Sequence, residues 1–501
     1  AEENYTRHVD PKIGTGGHGH VFVGANVPFG LVQVGPTSIP QTWDWCSGYH
    51  ASDSTVIGFS HTHLSGTGIG DLFDVTVMPV TGNVTYARGT EDDPTSGLWS
   101  YADRTQEIAR PGYYSVPLTR YGMRAELTAT ARGGLHRYTF PAADAAAVVF
   151  DLENGGCWDK ATETHLAKEG DRTVTGWRHS TGWAKDQRVY FAAEFSKPFE
   201  KFETIGDNYA RASFRTTDGE QVSLKVALSP VSVEGARENL AAELPGWDFE
   251  ETAKAADKAW NDELSKVKIE TADETARRIF YTALYHTMIA PSLFCDVNGD
   301  YRGADGKVHE NLGRDTYTTF SLWDTYRAAM PLMTVLHPER MPDIIQTMLH
   351  IADEQGRLPV WHLWGNETDC MVGNPGIVAV ADAIVKGIGG FDREKAFEAI
   401  RKTAMNPDRG NGLRMEYGYI PCEMFNEAVA YDMEYALADG AAARAAETLG
   451  KAEDAKYFEE RSHSYRNYFD PATRFMRGRD SRKGWRPPFT AFASTHRADA
   501  Y

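Results

Sequence analysis

The sequence has few cysteines, fewer basic than acidic residues and no long apolar run. Its five cysteines are widely spaced without any C-x-x-C pair, which argues against a disulfide framework or a zinc knuckle. No stretch approaches about 18 apolar residues, so no membrane span is expected. The sequence contains 52 lysines and arginines and 70 aspartates and glutamates. The resulting net charge of −18 argues against nucleic acid or an anionic membrane as partner.

Aromatic residues are plentiful, with 12 Trp, 23 Tyr and 23 Phe in 501 residues. This content is compatible with a large mixed core and also with binding the flat faces of sugar rings. The length predicts two or three domains. The opening residues, AEENYTRHVD, are typical of a mature or trimmed N-terminus, and export is compatible with them.

The first half of the chain has the period-two pattern of β-strands. In QVSLKVALS, apolar residues alternate with polar ones, which places Val222, Leu224, Val226 and Leu228 on one face. Similar short runs, among them AAAVVFDLE and QRVYFAAEFS, are separated by Gly, Asp and Pro. The pattern predicts an N-terminal antiparallel β-sandwich over residues 1–235.

A helical period follows. Apolar residues of FEETAKAADKAWNDEL recur at helical spacing, at positions 249, 253, 256, 260 and 264, and predict a helical linker over residues 236–270. Over residues 271–501 further helices alternate with long loops, which favours the N-terminal part of a helical toroid over a four-helix bundle. In RRIFYTALYHTM we expect a buried face that includes Ile279, Ala283 and Leu284.

The segment GFSHTHLSGTGIGDLFD, residues 58–74, combines two histidines with a glycine-rich run. Its glycines do not match G-x-G-x-x-G and no Walker lysine follows, which argues against a nucleotide loop. A zinc site would use the histidines of this segment and of GTGGHGH: His18, His20, His61 and His63. The favoured interpretation is a tight turn in which glycines supply positive φ and Asp71 or Asp74 binds turn amides.

Three loops carry side chains suited to sugars. FSLWDTYRAAMP places Trp323 beside Asp324 at the start of a helix, where Asp324 could cap the helix or bind hydroxyls. A second loop, LPVWHLWGNETDCMVG, brings together Trp361, Trp364, Asn366, Glu367 and Asp369. Carboxylates and an amide can accept hydrogen bonds from vicinal sugar hydroxyls, and indoles can stack on the sugar ring. The two loops of the helical half therefore indicate sugar binding. For Trp43, Trp45 and Tyr49 in QTWDWCSGYH, sugar stacking and ordinary packing both stay open.

The chain resembles glycoside hydrolase family 92, the calcium-dependent inverting exo-α-mannosidases. The matching segments are IGTGGHGHVFVGANVPFGLVQVGP, GFSHTHLSGTG, RPGYYSV, SLWDTYR, GNETDCM and YGYIP, in the family's order over nearly the whole chain. The resemblance implies an N-terminal β-sandwich followed by an (α/α)6 barrel over residues 271–501, the barrel incomplete in this chain. It also implies a hydrolase that removes terminal α-mannosyl residues from mannan or N-glycans.

Site residues follow from the same resemblance. Trp45, with Cys46 beside it, matches the position of a leaving-sugar tryptophan. Trp323 and Asp324 match the residues that hold the terminal mannose, while Asn366 and Glu367 belong to the next pocket loop. Calcium (Ca2+) is the expected cofactor and an α-mannoside glycan the expected partner. We expect a secreted, periplasmic or cell-surface bacterial protein.

The resemblance places the general acid, the base and most calcium ligands after Tyr501. No catalytic residue and no metal ligand is therefore assigned within this sequence. One alternative from the same family is a hydrolase of mannose-1-phospho-6-mannose diesters, in which phosphate leaves without protonation. A second alternative, if the native chain ends at Tyr501, is a non-catalytic carbohydrate-binding protein.

Overall fold

A computed structural model describes residues 3–492 of the chain. These residues belong to two compact units. The first extends to Arg302 and includes Val308–Gly313, and the second comprises Gly303–Lys307 and the chain from Arg314 onward. The domain boundaries at residues 235 and 270 stay predictions.

The first unit is rich in β-structure. Its strands, in chain order, are β1 Gly35–Thr37, β2 Thr55–Val56, β3 Gly58–Ser60, β4 Thr76–Thr81, β5 Ser100–Tyr101, β6 Ile108–Arg110, β7 Tyr113–Leu118, β8 Met123–Ala129, β9 Gly133–Phe140, β10 Ala143–Asp151, β11 Lys160–Glu169, β12 Thr173–Thr181, β13 Gln187–Phe195, β14 Lys201–Ile205, β15 Tyr209–Thr216, β16 Glu220–Ser229, β17 Ser292–Leu293, β18 Tyr301–Arg302 and β19 Val308–His309. Its helices are α1 Val233–Glu243, α2 Phe249–Leu264 and α3 Glu274–His286.

Two antiparallel sheets form the body of this unit. One has six strands in the order β1-β3-β4-β10-β15-β14, and the other has eight in the order β11-β12-β13-β16-β9-β8-β7-β6. The sheets meet face to face: Phe150 of β10 stacks on Phe191 of β13 at 6.1 Å between ring centroids and meets Phe195 edge-on. The N-terminal sandwich is therefore confirmed. The predicted face of β16 is buried, but the opposite face is buried too from residue 225 onward, so burial does not alternate along the whole strand.

Helix α2 confirms the predicted helical face, and helix α3 confirms it only in part. On α2, Phe249, Ala256, Trp260 and Leu264 are buried as predicted. On α3 the prediction is right for Leu284, which is buried, and wrong for Ile279, which is 55% exposed; the buried side includes two tyrosines, Tyr281 and Tyr285. Each of these hydroxyls donates to an acceptor, the Val267 carbonyl and Asn26 Oδ1 respectively. A tyrosine that finds an acceptor is buried readily, and apolar spacing does not reveal this.

The second unit is mainly helical. Its elements are β20 Tyr317–Thr318, β21 Phe320–Ser321, α4 Leu322–Thr325, α5 Ala329–Leu336, α6 Met341–Gln355, β22 Trp361–Leu363, β23 Asn366–Glu367, α7 Pro375–Val385, α8 Arg393–Ala404, α9 Asn411–Tyr417, α10 Ala428–Thr448, α11 Ala452–Arg461, β24 Phe469–Asp470 and β25 Phe475–Met476. Helix α6 ends at Gly356 in the left-handed conformation, with φ 92°.

Small residues let the long helix α10 pack closely. Its alanines 438, 442, 443, 445 and 446 are buried, and it packs against α7, α8 and α11. A sheet-rich domain followed by a helical domain is thus confirmed. The closed (α/α)6 barrel stays a prediction.

Candidate functional site

The histidines of the His-Thr-His segment are core residues. His61 Nδ1 lies 2.5 Å from the Val75 carbonyl, and His61 Nε2 lies 2.9 Å from His136 Nε2. His136 Nδ1 in turn accepts from the Tyr138 hydroxyl at 2.7 Å. Since the carbonyl accepts only, His61 donates to it, and His136 donates to His61. Burial lowers the pKa of His61 to about 4, so this row of rings is neutral.

His63 is held in the same manner. Its Nδ1 donates to the Gln33 carbonyl at 2.8 Å, and its Nε2 accepts from Thr37 Oγ1 at 3.1 Å. Burial lowers its pKa to about 4. The remaining two histidines have a different partner: His18 and His20 both bind the carboxylate of Asp44. Within residues 3–492 no metal-ligating group includes any of the four, so the zinc interpretation is wrong.

The backbone after the glycine-rich run is strained. Leu72, Phe73 and Val75 have φ values of 80°, 62° and 51°, which are unfavourable for side chains with a Cβ and most of all for a β-branched one. Thr62 holds this segment: its Oγ1 accepts from the Asp74 amide at 2.9 Å and donates to Asp74 Oδ2 at 2.7 Å. The strain of the predicted turn thus begins at Leu72, two residues beyond the last glycine, Gly70.

The sequence suggested that Asp71 or Asp74 binds amides of its own turn, but both carboxylates bind other partners. Asp71 accepts from the amides of Trp183 and Ala184, in the turn between β12 and β13. Asp74 pairs with the fully buried guanidinium of Arg178 at 2.8 Å. Both carboxylates therefore fasten this segment to the eight-stranded sheet, through partners more than 100 residues away that local sequence spacing does not reveal.

Asp159 joins this buried charge cluster. Its Oδ2 lies 3.2 Å from Arg178 Nη1, its side chain is 1% exposed, and its Oδ1 has no hydrogen-bond partner within residues 3–492. Burial, opposed by Arg178 and supported by the negative charges of Asp74 and Asp71, raises the pKa of Asp159 to about 6. Two carboxylates, Asp74 and Asp159, thus share one arginine.

Trp45 and Cys46 occupy a short helical turn of the first unit. Trp45 donates from Nε1 to Asp53 Oδ2 at 2.9 Å and stacks on His50 at 4.4 Å between ring centroids. Cys46 is fully buried, and a hydrogen bond with the Cys157 thiol, followed by burial, raises its pKa. Their contacts with a leaving sugar stay predictions.

Trp323 and Asp324 lie in helix α4 of the second unit. Ser321 donates to Asp324 Oδ2 at 2.5 Å, whereas Oδ1 has no hydrogen bond within the described residues, and Asp324 is exposed. Asp324 is inside the helix and is therefore not its N-cap, which is Ser321. Trp323 Nε1 is buried without a hydrogen-bond partner in the described part of the chain, and the Arg327 guanidinium covers its ring at 4.6 Å.

The loop of residues 360–369 is held by hydrogen bonds to Glu367. Its two carboxylate oxygens accept four hydrogen bonds, from the amides of Val360, Trp361 and Asp369 and from Gln355 Nε2, at 2.8–3.1 Å. Asn366 Nδ2 donates to the carbonyls of Leu363 and Trp364. Both predicted binding groups therefore have internal partners, and their contacts with a sugar stay predictions. Trp361 and Trp364, 3% and 2% exposed, belong to the core of this unit.

Backbone strain accompanies both loops of the second unit. Thr319, Trp364, Asp369 and Met371 have φ values of 63°, 47°, 53° and 75°. Strained non-glycine residues concentrate at functional sites, where the surrounding structure over-determines them. Except at Asp369, since aspartate is enriched at positive φ, the residue types give no signal for this strain.

The family assignment rests on both units. Residues 8–229 match the glycosyl hydrolase family 92 N-terminal domain, and residues 235–501 match the glycosyl hydrolase family 92 catalytic domain. The chain belongs to glycosyl hydrolase family 92. The resemblance expected from six short motifs is thereby confirmed.

Relatives within family 92 are similar over nearly the whole chain. A family 92 α-mannosidase of Bacteroides thetaiotaomicron, solved in complex with mannoimidazole, is 39% identical with a TM-score of 0.94 over 97% of this chain and 67% of its own. An inverting mannosidase of the same species is 29% identical with a TM-score of 0.89, over 98% of this chain and 69% of its own.

A relative of Arthroderma benhamiae, described as an uncharacterized secreted glycosidase, is 27% identical over 96% of this chain. The chain spans 64% of that relative's length. No helix within residues 3–492 is long and apolar enough to cross a membrane.

Proposed function

We propose that this family 92 chain belongs to an exo-acting, inverting α-mannosidase that releases terminal mannose from mannan or N-glycans. The observation that carries the proposal is the TM-score of 0.94, at 39% identity, to an α-mannosidase holding mannoimidazole. Similarity to a secreted glycosidase supports an extracellular or periplasmic site of action.

Trp323 and Asp324 supply a matched pair of groups for a sugar. Within residues 3–492, the buried Nε1–H of Trp323 has no acceptor and Oδ1 of the exposed Asp324 accepts no hydrogen bond, so adjacent residues of one helix supply a donor and an acceptor. A buried donor without a partner costs about 1–3 kcal/mol, which a ligand oxygen would recover. Ser321 fixes the Asp324 carboxylate, and Arg327 fixes the Trp323 ring. Both groups are thus oriented before a mannose hydroxyl arrives.

Inversion requires an acid that protonates the leaving oxygen and a base that activates water on the opposite face of the sugar. We assign neither role within these 501 residues. What this chain contributes is positioning: hydroxyl binding by Trp323 and Asp324 of helix α4, beside a second loop whose backbone Glu367 holds.

Calcium prefers several oxygen ligands. Within each compact unit taken alone, residues 3–492 present no group of three carboxylate or imidazole side chains converging on one point. No calcium site is therefore assigned within either unit. Calcium dependence stays an expectation from the family, and no chemical step is derived through the ion.

The test is hydrolysis of α-mannobiose and 4-nitrophenyl α-mannoside by the intact protein, with proton NMR of the released sugar. We expect β-mannose to appear first. Release of α-mannose first would contradict inversion. Hydrolysis of a mannose-1-phospho-6-mannose diester but not of mannobiose would assign the phosphodiesterase alternative, and binding without turnover would assign the carbohydrate-binding one.

Trp323→Phe is the informative variant, because it removes the N–H while keeping an aromatic ring. Since this donor has no partner within the described residues, we expect unchanged stability and a several-fold lower kcat/KM on both substrates. Trp177→Phe, at an indole that donates to Glu163, is the matched control and should leave turnover unchanged. Unchanged kinetics in Trp323→Phe would remove Trp323 from the proposed site.

A further inference from the structure

Two cysteine thiols of the first unit are in contact. More than 100 residues of chain separate Cys46 from Cys157, and the structure holds both as thiols. The two side chains share a hydrogen bond in which the Cys46 thiol donates to the Cys157 sulfur. The wide spacing that argues against a disulfide framework therefore conceals one pair that the fold brings together.

A second contact places the Cys157 thiol over the turn that contains Cys46. Cys46 is the C-cap of the 3-10 turn Trp43–Trp45, and Thr42 is its N-cap. The Cys157 thiol donates to the Thr42 carbonyl at 3.7 Å. The Trp45 amide donates to the same carbonyl at 2.9 Å, so this oxygen is fixed by the turn itself. The Cys157 sulfur is thus held between the two ends of the turn.

The backbone around Cys157 packs directly on the glycine-rich run. The Trp158 amide donates to the Gly70 carbonyl at 3.4 Å, and a Cβ on Gly70 would lie 2.8 Å from Cys157 Cβ. A Cβ on Gly156 would lie 1.8 Å from the Gly70 carbonyl oxygen. Neither glycine has a positive φ, so glycine is required here because two backbone segments touch. This packing fixes the position of Cys157.

The two thiols differ in exposure and in acidity. Cys46 is fully buried, whereas Cys157 is half-buried. The hydrogen bond from Cys46 lowers the pKa of Cys157, burial opposes this shift, and the positive charge of Arg88 supports it. The thiolate is the nucleophile in thiol–disulfide exchange. Cys157 is therefore the thiol that an oxidant reaches first, and Cys46 is the thiol that resolves the mixed disulfide.

We propose that Cys46 and Cys157 form an intramolecular disulfide when the folded protein meets a disulfide oxidant, such as oxidised glutathione or a dithiol–disulfide oxidase. The Cys157 thiolate attacks one sulfur of the oxidant, and the other sulfur leaves as a thiolate. Cys46 then gives up its proton and attacks the Cys157 sulfur, which expels the second half of the oxidant. The Cys46–Cys157 bond forms, the S–S bond of the oxidant breaks, and the two thiol protons pass to the two expelled thiolates.

This disulfide fastens the turn at residues 42–48 to the segment at residues 155–159. A disulfide restricts the unfolded chain more when the loop that it closes is longer, and this loop exceeds 100 residues. The extracellular or periplasmic location proposed above is an oxidising compartment, in which such a bond persists. The exchange chemistry does not depend on the mannosidase proposal, so peptide mapping and unfolding test it without any assay of hydrolysis.

The test is mass spectrometry of peptides prepared without reduction from the intact, folded protein after it has been reduced and then equilibrated with oxidised glutathione. We expect one linked pair, Cys46 with Cys157. Formation of the bond should raise the midpoint of thermal unfolding by roughly 5 °C. Cys157→Ala should abolish both the link and the rise. Cys370→Ser, at another half-buried thiol, is the matched control and should retain both.

Cys46→Ser separates the two steps, because serine keeps a hydroxyl donor for Cys157 but cannot resolve a mixed disulfide. We expect this variant to retain one glutathione on Cys157, whereas Cys157→Ala should leave the buried Cys46 unmodified. Unlinked cysteines in the oxidised wild type, or a lasting glutathione adduct on its Cys157, would overturn the proposal. A link that forms only in urea would belong to the unfolded chain and would overturn it too.

Discussion

At the scale of single residues, Asp324 has one occupied and one free oxygen. Ser321 donates to Oδ2, whereas Oδ1 of this exposed residue accepts no hydrogen bond within residues 3–492 and can accept one from a sugar hydroxyl. A hydrogen bond to a charged group contributes about 1.5–3 kcal/mol. We therefore expect Asp324→Ala to lower kcat/KM for 4-nitrophenyl α-mannoside at least tenfold with the fold intact. Asp353→Ala, at an exposed position of α6, is the control, and unchanged kinetics in Asp324→Ala would leave the carboxylate a purely local role.

Asp159 should make stability depend on pH. Its pKa is raised by burial to about 6, above the 3.8 of a free aspartate, so the folded state holds this proton more tightly than the unfolded chain. The resulting stabilisation is complete below about pH 4 and is lost as pH rises through about 6. Between pH 5 and pH 7.5 we expect the free energy of unfolding of the wild type to fall by on the order of 1 kcal/mol more than that of Asp159→Asn.

Urea unfolding of both proteins at the two pH values measures this difference. Asp218→Asn, in the exposed turn between β15 and β16, should show the same pH dependence as the wild type. A wild type and an Asp159→Asn variant with parallel pH profiles would show that Arg178 fully compensates the buried carboxylate.

At the scale of elements, Thr62 connects the end of β3 to the strained segment before β4. Its hydroxyl accepts from the amide of Asp74 and donates to the carboxylate of the same residue. Valine has the same shape as threonine but can form neither hydrogen bond. We expect Thr62→Val to reduce the free energy of unfolding by about 1–3 kcal/mol, because a buried amide and a buried oxygen lose their partner. The denaturation midpoint measures the loss. Thr175→Val, also buried and in β12, should cost far less.

The elements themselves were largely predictable, whereas their polar partners were not. Helical spacing in α2 predicts which side faces the core, and alternation in β16 predicts one buried face correctly, although the opposite face of β16 is also buried from residue 225 onward. For α3, apolar spacing selected Ile279 instead of Tyr281, because the acceptor that lets a tyrosine be buried lies elsewhere in the chain. Glu367 has all its donors in its own loop and α6, a geometry that composition does not show.

At the scale of the whole molecule, family membership predicts dependence on an ion. Chelation by EDTA should abolish hydrolysis of an α-mannoside by the intact protein, and Ca2+ should restore it, because a hard cation with oxygen ligands suits sugar hydroxyls. Initial rates before and after chelation measure the effect. Magnesium, which tolerates less variation in geometry, is the comparison ion. Better rescue by Zn2+ than by Ca2+ would contradict the expectation and favour nitrogen or sulfur ligands.

A chain of hydrogen bonds joins the Val75 carbonyl, His61, His136 and Tyr138. All its donors point the same way, toward Val75, because a carbonyl can only accept. Its two imidazole protons are enclosed where the six-stranded and eight-stranded sheets meet, in short bonds shielded from water. Such protons resonate far downfield of backbone amides and exchange slowly with solvent. The sandwich therefore contains its own spectroscopic reporter: two proton signals that persist only while both sheets remain joined, readable without any added label.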